Sequence, residues 1–332
     1  MKVCWFMIAV FLLSCAGKNS SSSSSQADST SEMQSAAQEE TSQKTSIADS
    51  LSSAGASLSV FPYNLDHPSE KFKLPDELTE ISGIDVYHKS KLVCVNDEKG
   101  KVYIYDVKKD ELKQGVDFGK KGDYEGITNV NDTIYVLSSN GNLHQITGFD
   151  SKDQKAHQYK TPLNESNDTE GLCYDLKYQR LLIACKKDPG KEMKGVRAIY
   201  SFDLKNMQLN PDPVYVIRLE ALKNFLLEHD KQKLIVQDVQ SFFDPQKGDL
   251  TFQPSEVAIH PVTDEIYIIS TVGKLMVVLN RKGEILYIRS LNPEIFKQPE
   301  GLCFTENGDM YISDEGRNGK GNILYFQYTA AK

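Results

Sequence analysis

Glutamate recurs along this chain in a repeated local context. Tyr124-Glu125-Gly126-Ile127, Thr169-Glu170-Gly171-Leu172 and Pro299-Glu300-Gly301-Leu302 are near-copies of one another. Ser255-Glu256-Val257-Ala258 is a looser copy, and Ile81-Ser82-Gly83-Ile84 is a degenerate one. Carboxylates gathered from such copies would repel each other. Two like charges about 6 Å apart cost roughly 3 kcal/mol at an effective dielectric of 20. Main-chain N–H donors, retained protons or a bound cation can each relieve that repulsion. Oxygen-only donors suit Ca²⁺ better than zinc.

The spacing of the copies predicts the elements that carry them. Ser82 to Glu125 is 43 residues, Glu125 to Glu170 is 45, and Glu256 to Glu300 is 44. A period of about 40–50 residues made of short alternating strands is the signature of a β-propeller, with one blade per repeat. The fold expected is therefore all-β, a five-bladed propeller. Glu170 to Glu256 spans 86 residues, twice the period, so a six-bladed ring is the alternative. Within that gap, Leu219, Leu222, Phe225 and Leu226 follow helical spacing. Residues 219–253 are thus expected to be a helical insertion between blades three and four. The last repeat lacks a fourth strand, while Ser69–Leu74 reads as a strand without a partner. Pairing the two would close the ring and leave no open sheet edge.

In a propeller the start of each inner strand and the end of the next strand share one face. That geometry assigns Glu80, Glu125, Glu170, Glu256 and Glu300 as candidate metal ligands. Ser82, Asn96, Asp97, Asp314 and Glu315 join them at the channel mouth. The same glutamates can instead latch one blade to its neighbour, and the glycine after three of them allows close backbone approach. Lys186 and Lys187 interrupt the acidic pattern, either to pair with Glu170 or to hold an anion. His260 reads as a structural turn residue, and His229-Asp230 as a solvated helix end. There is no nucleophile elbow, Gly-rich phosphate loop or His/Cys metal spacing, so no catalytic residue is assigned.

The ends of the chain bear on location. Lys2 precedes an apolar run from Val3 to Leu13, long enough for a signal-peptide core and too short to cross a bilayer. Leu12-Leu13-Ser14-Cys15 resembles a bacterial lipobox. Residues 1–15 therefore read as a lipoprotein signal peptide with Cys15 as the lipid acceptor, an ordinary secretory signal being the alternative. Residues 16–60 are rich in Ser, Thr, Gln, Ala and Glu, a composition that cannot offset its ordering entropy. They read as a disordered tether, and residues 61–332 as the propeller domain. A net charge of −8 argues against nucleic acid as a partner. Cys94, Cys173, Cys185 and Cys303 are expected to be buried thiols.

Taken as a set, several segments resemble the SdiA-regulated family of Gram-negative envelope β-propellers. They are Glu80-Ile81-Ser82-Gly83-Ile84, Val95-Asn96-Asp97-Glu98, the three Glu-Gly segments, Pro254 to Pro261, and Ile312-Ser313-Asp314-Glu315-Gly316. The resemblance covers about residues 70–328. It implies an envelope location and is compatible with a cation such as Ca²⁺ at the mouth; together with the lipobox at Cys15, the expectation is a lipid anchor at the outer membrane, on its periplasmic or surface side. It implies no reaction. Two functions follow as expectations. One is a lipid-anchored binding or scaffold module that takes a cation, small molecule or peptide at the mouth. The alternative is a Ca²⁺-dependent hydrolase of phosphoesters or lactones, in which a metal would orient water.

Overall fold

The structure is a computed structural model, and it describes residues 61–113, 115–230, 251–317 and 319–329. The expected signal peptide, Cys15, the tether and the later part of the 219–253 insertion lie outside the described residues. So do the side chains of His229 and Asp230.

Five antiparallel sheets form a ring. Blade one runs from β2 (Ile81–His88) through β3 (Lys91–Asn96) and β4 (Lys101–Asp106) to the short outer strands β5 (Glu111–Leu112) and β6 (Val116–Asp117). Blade two is β7 (Tyr124–Val130), β8 (Thr133–Ser138), β9 (Leu143–Thr147) and β10 (Lys155–Tyr159). Blade three is β11 (Thr169–Asp175), β12 (Arg180–Cys185) and β13 (Val196–Asp203), with β14 (Gln208–Leu209) and β15 (Tyr215–Arg218) both pairing with β13. Blade four is β16 (Glu256–Ile259), β17 (Ile266–Ser270), β18 (Leu275–Leu279) and β19 (Ile285–Ser290). Blade five begins with β20 (Pro299–Phe304), β21 (Met310–Asp314) and β22 (Asn322–Phe326). Its fourth strand is β1 (Glu70–Lys73), which pairs antiparallel with β22 from Glu70↔Tyr325 to Lys73↔Asn322. The ring therefore closes with an N-terminal strand, as the unpaired Ser69–Leu74 segment predicted. The six-bladed alternative does not occur.

Alternating side chains fill the spaces between blades. Ile199 and Leu182 of blade three pack against Val257, Ile268 and Val277 of blade four. Helix α1 (Leu219–Asp230) lays Leu222 and Leu226 on the same cluster. At the seam between blades five and one, Phe72 and Leu74 pack with Ile84, Leu92, Tyr311 and Ile323. The four cysteines are free and buried. Cys173 lies opposite Leu182, not Cys185, so adjacent strands do not bring those two thiols into register.

The repeated glycines let the inner strands touch through bare backbone. A Cβ on Gly126 would stand 2.7 Å from Leu172 Cβ and 2.8 Å from the Glu170 carbonyl oxygen. On Gly171 it would stand 2.7 Å from Val257 N, and on Gly83 it would stand 2.9 Å from Ile127 N. Gly126→Ala therefore overpacks the junction of blades two and three, at an expected cost of about 1–3 kcal/mol. Thermal melting should show a midpoint roughly 3–10 °C lower. Gly319→Ala is the control, since its added methyl meets nothing within 4 Å.

The chain enters the ring at the end opposite the mouth. Tyr63 packs its ring against His260, Tyr267, Phe304 and Tyr328, and its hydroxyl donates to the Gly308 carbonyl at 2.5 Å. The Pro62 carbonyl accepts from Thr329 N at 3.1 Å and Thr329 Oγ1 at 2.6 Å. This clasp sits on the β16–β17 and β20–β21 turns. His260 is fully buried there, and its Nδ1 accepts from Thr263 N at 3.0 Å. The imidazole is thus a turn residue, as its sequence context suggested.

Candidate functional site at the acidic mouth

Hydrogen bonds to main-chain carbonyls link one blade to the next around the mouth. Tyr124 N donates to the Asp97 carbonyl at 2.8 Å, and Thr169 N to the Ser139 carbonyl at 2.8 Å. Ser255 Oγ donates to the Pro299 carbonyl at 2.8 Å, and Gly316 N to the Thr79 carbonyl at 2.8 Å. These bonds fix the starts of the inner strands, and with them the glutamates.

Three glutamates sit on β-bulges at those starts. The ladder slips between Tyr124 and Gly126, between Thr169 and Leu172, and between Pro299 and Gly301. A bulge leaves its extra residue unpaired and re-aims the side chain. The three carboxyls lie within electrostatic reach of one another. Burial pushes Glu125 up to about 10, helped by Glu170 and Asp123. Burial raises Glu300 to about 8, with Glu170 adding to the rise and Lys186 opposing it. Burial also lifts Glu170 to about 7, against the pull of Lys186.

Lys186 is the cation of this cluster. It stands at the end of β12 and reaches Glu170 Oε1 with Nζ at 2.8 Å. Burial works against its charge, but Glu170, Glu300 and Asp168 outweigh burial and hold the ammonium well above its usual value. Lys187 pairs with Asp168 at 2.9 Å. Glu300 Oε2 is buried with no hydrogen-bond partner.

A second acidic group occupies the junction of blades five and one. Burial raises Asp97 to about 6, with Glu80, Glu315 and Glu98 adding to it. Burial likewise raises Glu315, which feels both Glu80 and Lys186. Lys186 thereby bridges the two acidic groups electrostatically.

Four assigned residues are committed elsewhere. Glu256 was expected at a position equivalent to the other glutamates, but β16 pairs with β17 without a bulge. Glu256 pairs with Ile269, the place Gly301 takes opposite Ser313 in blade five. The reason is Val257, where the other copies have glycine. The carboxylate consequently lies buried between blades three and four, where Oε1 accepts from Leu172 N at 2.7 Å and Val257 N at 2.8 Å. It acts as a latch. Asn96 Oδ1 caps its own turn, accepting from Glu98 N at 3.0 Å and Lys99 N at 3.1 Å. Asp314 Oδ1 accepts from Gln298 N at 3.1 Å. Ser82 is buried in β2.

A family model described as SdiA-regulated matches residues 71–318. The chain belongs to the SdiA-regulated family. No curated protein matches it. Among solved structures it is similar to a Myxococcus xanthus glutaminyl cyclase, at 10% identity over 80% of this chain and 97% of that one, with a TM-score of 0.49. It is also similar to XC5397, a gluconolactonase from Xanthomonas campestris, at 13% identity over 82% and 87% of the two chains, with a TM-score of 0.45. A streptogramin B lyase structure matches at 13% identity over 79% and 87%, with a TM-score of 0.43. These likenesses carry neither substrate nor activity to this SdiA-regulated protein.

Two polar residues of note were not assigned from the sequence. Asp85 of β2 lies away from the mouth, a half-buried carboxyl between blades one and two that accepts from Thr128 Oγ1 and Asn129 N, both at 2.8 Å. Burial raises it to about 6, even though those bonds pull it down. Its signal was an acid on an otherwise apolar inner strand. Gln298, on the approach to β20, hydrogen-bonds Glu315 and Arg317 through its amide. Nothing in the repeat marks it.

Lys186→Met tests the role of the ammonium. At pH 8 the variant leaves Glu170 without its paired ammonium and Glu300 with Lys274 as its remaining counter-charge, and should lose about 1–3 kcal/mol. At pH 5 both carboxyls hold protons, and the loss should shrink. Urea unfolding at the two pH values reads this difference.

Proposed function

We propose that this SdiA-regulated propeller is a binding module of the bacterial envelope, carried on a lipid at Cys15, whose acidic mouth receives a cationic ligand. One observation carries this reading. Bulges on three separate blades set Glu125, Glu170 and Glu300 at one mouth, where the Lys186 ammonium already rests on Glu170 Oε1 at 2.8 Å. Latching alone does not account for them, because Glu256, which makes the backbone latch, is the member that lacks the bulge.

Ca²⁺ matches this site only in donor type. The mouth offers carboxylate oxygens, as Ca²⁺ requires. Yet Asn96, Asp314 and Glu256 each spend an oxygen on backbone N–H groups, and Lys186 already faces Glu170. Among the described residues, no group of three or more His, Cys, Asp or Glu side chains is arranged to hold a metal ion. The ligand is therefore written as a cation of open identity, and no resident metal is assigned.

The test is thermal melting in low salt, first with EDTA and then with a panel of small cations, for the wild type and a Glu125→Gln/Glu300→Gln double variant. A midpoint raised by at least one cation in the wild type and unchanged in the variant supports the reading. A flat panel in the wild type rejects it.

A further inference from the structure

We propose that the ligand of the acidic mouth presents a primary ammonium group, and that Lys186 is the fold's internal copy of that group. This assignment rests on the binding reading above and narrows it to one chemical class. The Lys186 Nζ–Glu170 Oε1 contact of 2.8 Å shows how the cluster accommodates a cation. The Lys186 side chain is 24% exposed and that of Glu170 is 6% exposed. The contact is a charge-assisted N–H···O bond, the strong kind, formed largely out of water.

One ammonium leaves the cluster incomplete. Glu300 is 9% exposed, and its Oε2 has no hydrogen-bond partner. A buried acceptor without a donor is costly, so such an atom points to a missing donor. Both Glu170 and Lys186 act on the Glu300 carboxyl, which the bulge at the start of β20 sets at the same mouth. Glu125, on the bulge that starts β7, adds a third carboxyl within their electrostatic reach. An ammonium carries three donors and no acceptor, so it can serve several carboxyl oxygens at once.

The competing occupants fit less well. A divalent ion would need six to eight oxygens, several of which are already bonded to backbone. It would also be repelled by Lys186 twice as strongly as a monovalent cation. A quaternary ammonium carries the charge but no N–H, so it leaves Glu300 Oε2 unpaired. An amine-bearing ligand satisfies both the charge and the orphaned acceptor.

The experiment uses calorimetric titration of the full chain at pH 8 with n-butylammonium, tetramethylammonium and CaCl₂ as probes. We expect n-butylammonium to bind about tenfold more tightly than tetramethylammonium, reflecting donors rather than charge. Glu300→Gln, isosteric and checked by its melting profile, should lower n-butylammonium affinity by about tenfold. Equal affinity for the two ammonium probes overturns the proposal. So does binding of CaCl₂ without n-butylammonium, although that result leaves the cation-binding reading standing. Binding of none of the three overturns both.

Discussion

A chain that begins at Pro75 is expected not to form the closed ring. The cut removes β1, the fourth strand of blade five, and exposes the full edge of β22. It also removes Tyr63, Leu65, Phe72 and Leu74, all buried against blades four, five and one. Each such side chain contributes about 1.5–3 kcal/mol by burial. Their sum is comparable to the whole stability of a domain, about 5–15 kcal/mol. The shortened chain should lose the cooperative melt and associate through its bare edge. Phe72→Ala is the graded version, expected to cost about 3–5 kcal/mol while leaving the strand in place. A cooperative melt within a few degrees of the full chain would show that β1 is dispensable.

The second large effect is on the pH profile. Glu125, Glu170 and Glu300 bind protons more tightly folded than unfolded, with values of about 10, 7 and 8 against an ordinary 4.5. The folded state therefore holds the extra protons. Their stabilising contribution is complete below about pH 4.5 and fades as pH rises through those folded values. His260 acts in the opposite direction on the acid side. Burial lowers it to about 4 from 6.5, so its neutral form supports the fold above pH 6.5 and that support is lost as pH falls toward 4. Stability should therefore peak in mildly acidic solution and decline toward pH 9. Glutamine imitates the protonated acid and removes the alkaline decline. A tenfold difference in proton affinity is worth about 1.4 kcal/mol. Recovering that much at Glu300 would raise the melting midpoint of Glu300→Gln by about 3–5 °C at pH 9, with little change at pH 5. A wild type and variant that decline in parallel would sink this account.

Much of the architecture was legible in the residues because a propeller repeats. A period near 44 residues, the lone strand before the first repeat and the helical spacing after Arg218 gave the blades, the closure and α1. Glycine after glutamate correctly signalled backbone contact between inner strands. The site was less legible, and Glu256 shows why. In the aligned copies it stands level with Glu300, yet one residue beside it, Val257 for glycine, removes the bulge and turns the carboxylate inward. A one-residue change of pairing alters which face a side chain serves, and spacing does not report it. Asn96 failed for a different reason: an amide at a strand end is as well suited to capping its own turn as to meeting a ligand. The pairing of Lys186 with Glu170 was one of two open readings, and the ladder between β11 and β12 decides it by placing Thr169 opposite Cys185.

The clasp of Pro62 with Thr329 gives the molecule a polarity. Pro62 and Thr329 both lie at one pole, at the turns carrying His260 and Gly308, while the carboxyls crowd the other. A partner domain fused just before Phe61 would therefore leave the carboxyl-lined pole uncovered at its point of attachment.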